Sequence, residues 1–128
     1  MAARVLIDTS VWVDFFRTGK AKHEIELLLG ERRAVYCGLI VTELMRGARG
    51  KNEITVLNQL FDSLHYVHES NETFLQAGRL GFLLAKNGLN LATVDLILAQ
   101  VSLENNLAIF TYDQHFKQIK EHTKLRLF

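Results

Sequence analysis

Acidic residues at four places along the chain have the types and positions that metal-assisted hydrolysis requires. Asp8 and Asp113 each come just after a short apolar run. Glu43 and Asp95 each fall in the first turn of a predicted helix. Carboxylates crowded into one patch repel one another, and their pKa values rise unless a cation is present. Because oxygen ligands suit Mg²⁺ or Mn²⁺, the four acids predict a site where one or two such ions promote phosphodiester hydrolysis.

The elements that would bring these acids together alternate along the chain. Strand candidates are short apolar runs at residues 4–7, 34–37, 107–111 and 125–128. Helical patterns lie around residues 11–16, 21–30, 41–46, 51–63 and 71–86, with two more helices beginning at Thr93 and Asp113. Continuous apolar strands alternating with helices predict a three-layer α/β/α sandwich with a central parallel sheet and right-handed crossovers. Strand carboxyl ends and helix amino ends share one edge of such a sheet, so we expect all four acids there.

Each acid taken alone also has a structural explanation. Acidic residues near the start of a helix are favoured because they cap free N–H groups and interact well with the helix dipole. Four acids converging on one edge of the sheet is harder to explain by capping. The coincidence therefore favours a metal site.

Length and composition fit a single domain over residues 1–128. The chain is 48% apolar and 23% charged, which is the balance of a folded protein and not of a disordered one. Its formal net charge is only +1, so any nucleic-acid surface must be local. No cationic leader and no apolar stretch of the roughly 20 residues that span a bilayer is visible, which predicts a cytoplasmic protein without a membrane partner. The sole cysteine, Cys37, lies in an apolar run and is expected to be buried and unreactive.

Four segments in this order resemble the PIN-domain family, and more narrowly the VapC-type toxins of bacterial and archaeal VapBC toxin–antitoxin pairs. They are VLIDTSVW at residues 5–12, TELMRGA at 42–48, VDLILA at 94–99 and TYDQHF at 111–116. The resemblance covers nearly the whole chain and implies an Mg²⁺- or Mn²⁺-dependent endoribonuclease. It implies that the acidic catalytic pocket consists of Asp8, Glu43, Asp95 and Asp113, with Asp8 and Asp95 as metal ligands.

The same resemblance implies three partners in a bacterial or archaeal cytoplasm. They are an RNA substrate, a second copy of the toxin in a homodimer, and a cognate VapB-type antitoxin whose C-terminal segment blocks the acidic pocket. Apolar helices near residues 11–16 and 51–64 are candidate docking faces, although such helices normally pack on their own sheet.

Four hydroxyl or imidazole side chains lie next to the acids in the sequence. Thr9 and Thr111 are candidates for the substrate-binding site, where their hydroxyls could orient a carboxylate or a water. Capping is the competing explanation for Thr9 and for its neighbour Ser10. His115 lies two residues after Asp113, and we assign it a structural role because metal activation of water leaves no necessary task for a histidine.

Basic residues near Glu43 are candidates for holding RNA phosphates. Arg46 is the first of them and is followed by Arg49 and Lys51. A solvated helix end would explain this cluster equally well. A second candidate rim, after the first helix, consists of Arg17, Lys20 and Lys22.

Other classes of protein fit the sequence less well. A receiver domain needs an adjacent acidic pair after its first strand and a lysine after a late strand, and both are missing here. A phosphatase with an aspartyl nucleophile would want an acid at Ser10. A catalytically silent PIN fold that serves as a binding module is the remaining alternative, and the presence of all four acids argues against it.

Overall fold

Five short parallel strands form one sheet in the computed structural model, which describes residues 2–128. They are β1 (Val5–Ile7), β2 (Ala34–Tyr36), β3 (His65–Tyr66), β4 (Ala108–Phe110) and β5 (Arg126–Leu127). Their order across the sheet is β3-β2-β1-β4-β5, and every neighbouring pair is parallel. The predicted parallel sheet is confirmed.

Seven helices within the described residues cover this sheet. They are α1 (Thr9–Thr18), α2 (Lys22–Gly30), α3 (Gly38–Arg46), α4 (Lys51–Asp62), α5 (Asn71–Ala85), α6 (Thr93–Glu104) and α7 (His115–His122). Helix α3 packs on α1 and α4, while α6 packs on α5 and α7. Since right-handed crossovers put the helices before β3 on one face and those after β3 on the other, the result is the predicted three-layer sandwich.

The core fills both sides of the central strands. All three residues of β1 and of β4 are buried, which explains why these strands read as continuous apolar runs. Trp12 on α1 and Phe116 on α7 are completely buried. Helix α6 is buried around much of its circumference, as its many apolar residues predict.

Strand β3 was not predicted from the sequence. It contains only His65 and Tyr66, both exposed at the edge of the sheet, so no apolar run marks it. The strand predicted as third, at residues 107–111, is therefore the fourth.

Two predicted helix starts are wrong by a few residues. Helix α3 begins at Gly38, which puts Glu43 in its second turn and not in the first. The earlier start is stabilised from a distance, because the Glu69 carboxylate accepts hydrogen bonds from the backbone N–H groups of Gly38 (3.0 Å) and Leu39 (2.8 Å). Helix α7 begins at His115 and not at Asp113, whose carboxylate instead accepts the His115 backbone N–H at 2.9 Å.

Two further predictions concern burial and membranes. Cys37 is completely buried, and burial raises the pKa of its thiol to about 12, which makes the thiolate scarce at neutral pH. Within residues 2–128, no helix combines the length and apolar character needed to cross a membrane.

Candidate active site

The candidate site lies where the connections from two neighbouring strands diverge. Strands β1 and β4 pair side by side, with Ile7 opposite Phe110. The chain leaves β1 towards β2 on one side and leaves β4 towards β5 on the other. Such a divergence opens a crevice at the carboxyl edge of a parallel sheet, and ligands bind there. Asp8 and Thr111 follow these two strands directly and flank the crevice.

Three donors fix the Asp8 carboxylate at this edge of the sheet. It is the residue before α1, and its Oδ1 accepts the Thr9 backbone N–H at 2.8 Å. Its Oδ2 accepts the Ser10 hydroxyl at 3.0 Å and the Thr111 hydroxyl at 2.8 Å. The side chain is nearly buried. Asp8 therefore does cap α1 through Oδ1. Its Oδ2 also accepts a hydrogen bond from Thr111, the residue after β4, and a helix cap does not need this second contact.

Glu43 reaches the same crevice from α3. The Thr9 hydroxyl donates to its Oε1 at 3.0 Å, so one residue connects Asp8 and Glu43. Burial raises the pKa of Glu43; the Thr9 hydrogen bond counteracts this, and the negative charges of Asp8 and Asp95 raise it further. Glu43 is thus a carboxylate held among other carboxylates.

The other half of the site joins α6 to the loop after β4. One ligand atom from each of Asp95, Asp113 and His115 lies within 4.8 Å of the others. The His115 Nδ1 is 3.0 Å from Asp95 Oδ2 and 3.3 Å from Asp113 Oδ1. The Thr111 hydroxyl accepts the Asp113 backbone N–H at 3.0 Å while donating to Asp8, so one hydroxyl links the two halves.

Asp95 lies in the first turn of α6, as predicted, and is nearly buried. Burial raises the pKa of its carboxyl group, and the charges of Asp113 and Asp8 raise it further. The hydrogen bond and the charge of His115 act in the opposite direction. The pKa of Asp95 therefore depends on the charges of acids from both halves of the crevice.

This donor set fits a hard divalent cation. The crevice collects carboxylate oxygens, which Mg²⁺ and Mn²⁺ prefer, and adds one imidazole nitrogen that Mn²⁺ also accepts. Burial is the largest cause of the raised pKa values of Glu43 and Asp95, and the negative charges of the neighbouring acids raise both further. Asp8 and Asp95 are the least exposed of the acids, and a bound cation would relieve their repulsion.

Residues 5–122 match the PIN domain. This chain belongs to the PIN-domain family. The VapC ribonuclease Mb1587 of Mycobacterium bovis is 30% identical over 128 residues, covering 95% of this chain and 96% of that protein. Ribonuclease VapC1 of Methanocaldococcus jannaschii is 27% identical over 120 residues, covering 93% of this chain and 83% of that protein.

A solved structure agrees with this assignment. The fold resembles VapBC2 from Rickettsia felis, bound in that crystal to a DNA fragment from its promoter, with a TM-score of 0.82 and 21% identity. The match covers 97% of this chain and 96% of that one. The resemblance to VapC-type PIN domains is confirmed.

The basic residues predicted to bind RNA make different interactions in the structure. Arg46 follows Glu43 by three residues on α3, is exposed, and lies close enough for its charge to lower the pKa of Glu43. In the second predicted group of basic residues, after α1, Lys20 makes a cation–π contact with Tyr112. Its Nζ lies 4.2 Å from the centre of the Tyr112 ring. Arg46 is therefore a predicted basic residue whose charge acts on an acid of the pocket.

Two side chains of this PIN domain make contacts that the local sequence did not predict. Ser10 was expected to cap, but its hydroxyl also accepts the Tyr112 backbone N–H at 3.2 Å, which ties α1 to the loop after β4. His115 was assigned a structural role, yet its ring bridges two of the acids. A histidine two residues after an acid at a strand end was the available signal.

Proposed function

We propose that this VapC-type PIN domain is the toxin of a type II toxin–antitoxin pair and an endoribonuclease that depends on Mg²⁺ or Mn²⁺. The observation that supports this most strongly is the convergence of Asp8, Glu43, Asp95 and Asp113 on the crevice between β1 and β4. The names of its relatives, VapC ribonucleases, supply the substrate class.

The residues of the chain have separate tasks in this proposal. Asp8 and Asp95 hold the metal, with Glu43 and Asp113 completing the acidic pocket. The cation, when bound, supplies Lewis acidity that makes water a better nucleophile and offsets the charge of the transition state. Thr9 and Thr111 orient the Glu43 and Asp8 carboxylates through the hydrogen bonds described above. Arg46, at the rim, binds an RNA phosphate and holds the scissile strand over the acids.

Cleavage of total cellular RNA tests this function. Purified protein with Mg²⁺ or Mn²⁺ should produce discrete fragments, and EDTA should abolish them. Asp8→Asn keeps the size of the side chain and should lose cleavage by at least about a hundredfold, because a carboxylate ligand is replaced. Asp14→Asn removes the same charge from α1 outside the pocket and should retain activity. A folded wild type without metal-dependent cleavage would favour the silent binding module.

The antitoxin partner is proposed to cover exposed apolar side chains on α1 and α4. Phe16 on α1 and Ile54 on α4 are 44% and 39% exposed, and they lie on the two helices that the sequence singled out. The Phe16 ring stacks on the buried Trp12 at 6.0 Å, so it is rigid enough to anchor a partner. Phe16→Glu should weaken capture of the adjacent-gene product in co-purification, whereas unchanged capture would contradict this docking face.

The homodimer is proposed to form through α5. Four large apolar side chains of this helix are exposed by at least half: Phe74, Leu75, Phe82 and Leu83. They form two pairs, one on each side of Gly78 and Arg79. A second copy of the helix could cross antiparallel at this centre. The pair Phe74 and Leu75 of one copy would then pack against the pair Phe82 and Leu83 of the other, and a two-fold interface needs this self-complementarity. Gly78 has open space where a Cβ would lie, so the helices can approach closely.

Light scattering during size-exclusion chromatography tests the dimer. Leu75→Arg should give a monomer, and so should Phe82→Glu. Because a two-fold centre between Gly78 and Arg79 places position 75 of one copy opposite position 82 of the other, the double variant should dimerise again through two ion pairs. A monomeric wild type, or a Leu75→Arg variant that stays dimeric, would contradict the interface.

A further inference from the structure

A polar cleft opens at the amino edge of the sheet, opposite the acidic pocket. Its volume is about 380 Å³. Arg4 precedes β1 and His65 begins β3, while Arg32 lies in the turn between α2 and β2. Leu29 and Ala34 contribute apolar surface to the same cleft. The cleft is thus built by strand starts and one helix end, and it shares no residue with the candidate active site.

Among the described residues that line this cleft, Arg4 and Arg32 have no acidic partner. Within residues 2–128, no carboxylate oxygen lies within 4.0 Å of a side-chain nitrogen of Arg4 or Arg32. The acid nearest in sequence, Glu31, instead accepts a hydrogen bond from Arg33 at 2.7 Å. Two cationic groups are therefore left for a ligand of the cleft.

The backbone at Arg32 is unusual for an arginine. Its φ is +55°, in the left-handed region that favours glycine. The Arg32 N–H donates to the Leu29 carbonyl at 3.1 Å and the Arg33 N–H to the Leu28 carbonyl at 2.8 Å, which is the usual termination of a helix by a left-handed residue. Glycine would fit this position at lower cost. An arginine stands there despite the strain, and backbone strain of this kind is concentrated at functional sites.

We propose that this cleft binds a phosphate group. Guanidinium groups match the oxygens of phosphate with paired, charge-assisted hydrogen bonds, and His65 adds a further N–H donor. Asp62 also lines the cleft, and its negative charge opposes an anion, so it limits the affinity. The phosphate belongs either to a free nucleotide or to the backbone of an RNA strand, and both present the same oxygens.

Calorimetric titration in EDTA with inorganic phosphate, adenosine 5′-monophosphate and a short single-stranded RNA tests the site. Arg32→Gly removes the guanidinium and supplies the residue that the left-handed backbone prefers, so its melting temperature should equal or exceed that of the wild type. Its affinity for the phosphate ligand should fall by at least about tenfold. Ala21→Gly relaxes another left-handed residue, at the opposite end of α2, and should leave the affinity unchanged.

A second pair of variants tests whether removing the acid of the cleft raises the affinity for phosphate. Asp62→Asn should strengthen phosphate binding several-fold, while Asp14→Asn, with the same change in net charge, should have no effect. Saturation with phosphate and the mononucleotide would identify a small-ligand site, and saturation with RNA alone would identify a backbone contact. No saturable binding of any of the three, or equal affinity of Arg32→Gly and Ala21→Gly, would overturn the proposal.

Discussion

At the scale of single residues, the acidic pocket is a set of carboxylates oriented by hydroxyl groups. Thr9 donates to Glu43, and Thr111 donates to Asp8 while accepting from the backbone of Asp113. Each hydroxyl thus fixes an acid on another element. The cost is electrostatic, because burial and like charges raise the pKa values of Glu43 and Asp95.

The electrostatic cost at Glu43 predicts that replacing this acid with a neutral residue stabilises the fold. A carboxyl group whose pKa is raised in the folded state contributes stability at low pH, and this contribution is lost as the pH rises through the folded-state pKa. Without metal, Glu43→Gln should therefore raise the melting temperature at pH 7 by about 2–4 °C, while reducing RNA cleavage. Thermal melts in EDTA measure this. The difference should shrink below about pH 4, where the wild-type acid is also neutral in both states; an unchanged difference would refute the electrostatic explanation.

The same pKa values predict the pH dependence of cleavage. Metal binding needs deprotonated carboxylates, and those of Glu43 and Asp95 release their protons at higher pH than free side chains. The cleavage rate at subsaturating Mn²⁺ should therefore rise with pH, with a midpoint above the ~4 of unperturbed acids. Rates at fixed ionic strength between pH 4 and 8 measure it. A rate independent of pH over this range would contradict the pKa assignments.

At the scale of elements, α3 depends on a residue that lies far from it in sequence. Glu69, in the loop between β3 and α5, accepts both N–H groups at the start of the helix that carries Glu43. The approach is close: a Cβ on Gly38 would lie 3.1 Å from a Glu69 carboxylate oxygen and 3.3 Å from the Tyr66 hydroxyl. Strand β3 and its following loop therefore help to position Glu43.

Removing this distant cap should destabilise the fold. Glu69→Ala leaves two N–H groups without their acceptor, which should cost about 1–2 kcal/mol and lower the melting temperature by several degrees. Glu69→Gln retains one acceptor oxygen and should lie between the wild type and Glu69→Ala. Urea unfolding curves give the free energies. Glu72→Ala, on the exposed first turn of α5, is the control, and an equal loss in that variant would argue against a specific cap.

The sequence predicted the elements whose signals are local. Strands β1 and β4 are apolar on both faces, so the runs that end at Ile7 and Phe110 could be recognised, and parallel topology placed Asp8 and Asp113 near one edge. Strand β3 could not be recognised, because two exposed residues carry no periodicity. The cap from Glu69 and the bridging position of His115 depend on contacts 20 or more residues apart, which no local pattern specifies.

At the scale of the whole molecule, the pocket couples both faces of the sandwich. Asp8 and Glu43 come from the face that carries α1 and α3, and Asp95 comes from the face that carries α6. A cation held between them would join the two layers in the folded state only. Folding and metal binding are therefore linked.

This linkage predicts that divalent metal stabilises the fold. A ligand at one hundred times its dissociation constant adds about 2.7 kcal/mol to the free energy of unfolding, which corresponds to roughly 10 °C for a chain of this size. Differential scanning fluorimetry with saturating Mn²⁺ should show such a shift. Asp95→Asn should lose most of it, whereas Asp14→Asn should keep it; equal shifts in both variants would indicate binding elsewhere.

Direct measurement of Mn²⁺ binding tests the central claim, that the acids between β1 and β4 form a metal centre. The signal of free Mn²⁺ in electron paramagnetic resonance falls as the ion binds, so a titration counts the sites. The wild type should bind one or two ions, Asp8→Asn and Asp95→Asn should each lose that binding, and Asp14→Asn should retain it. A wild type that leaves all Mn²⁺ free, or an undiminished stoichiometry and affinity in Asp8→Asn and Asp95→Asn, would contradict the account.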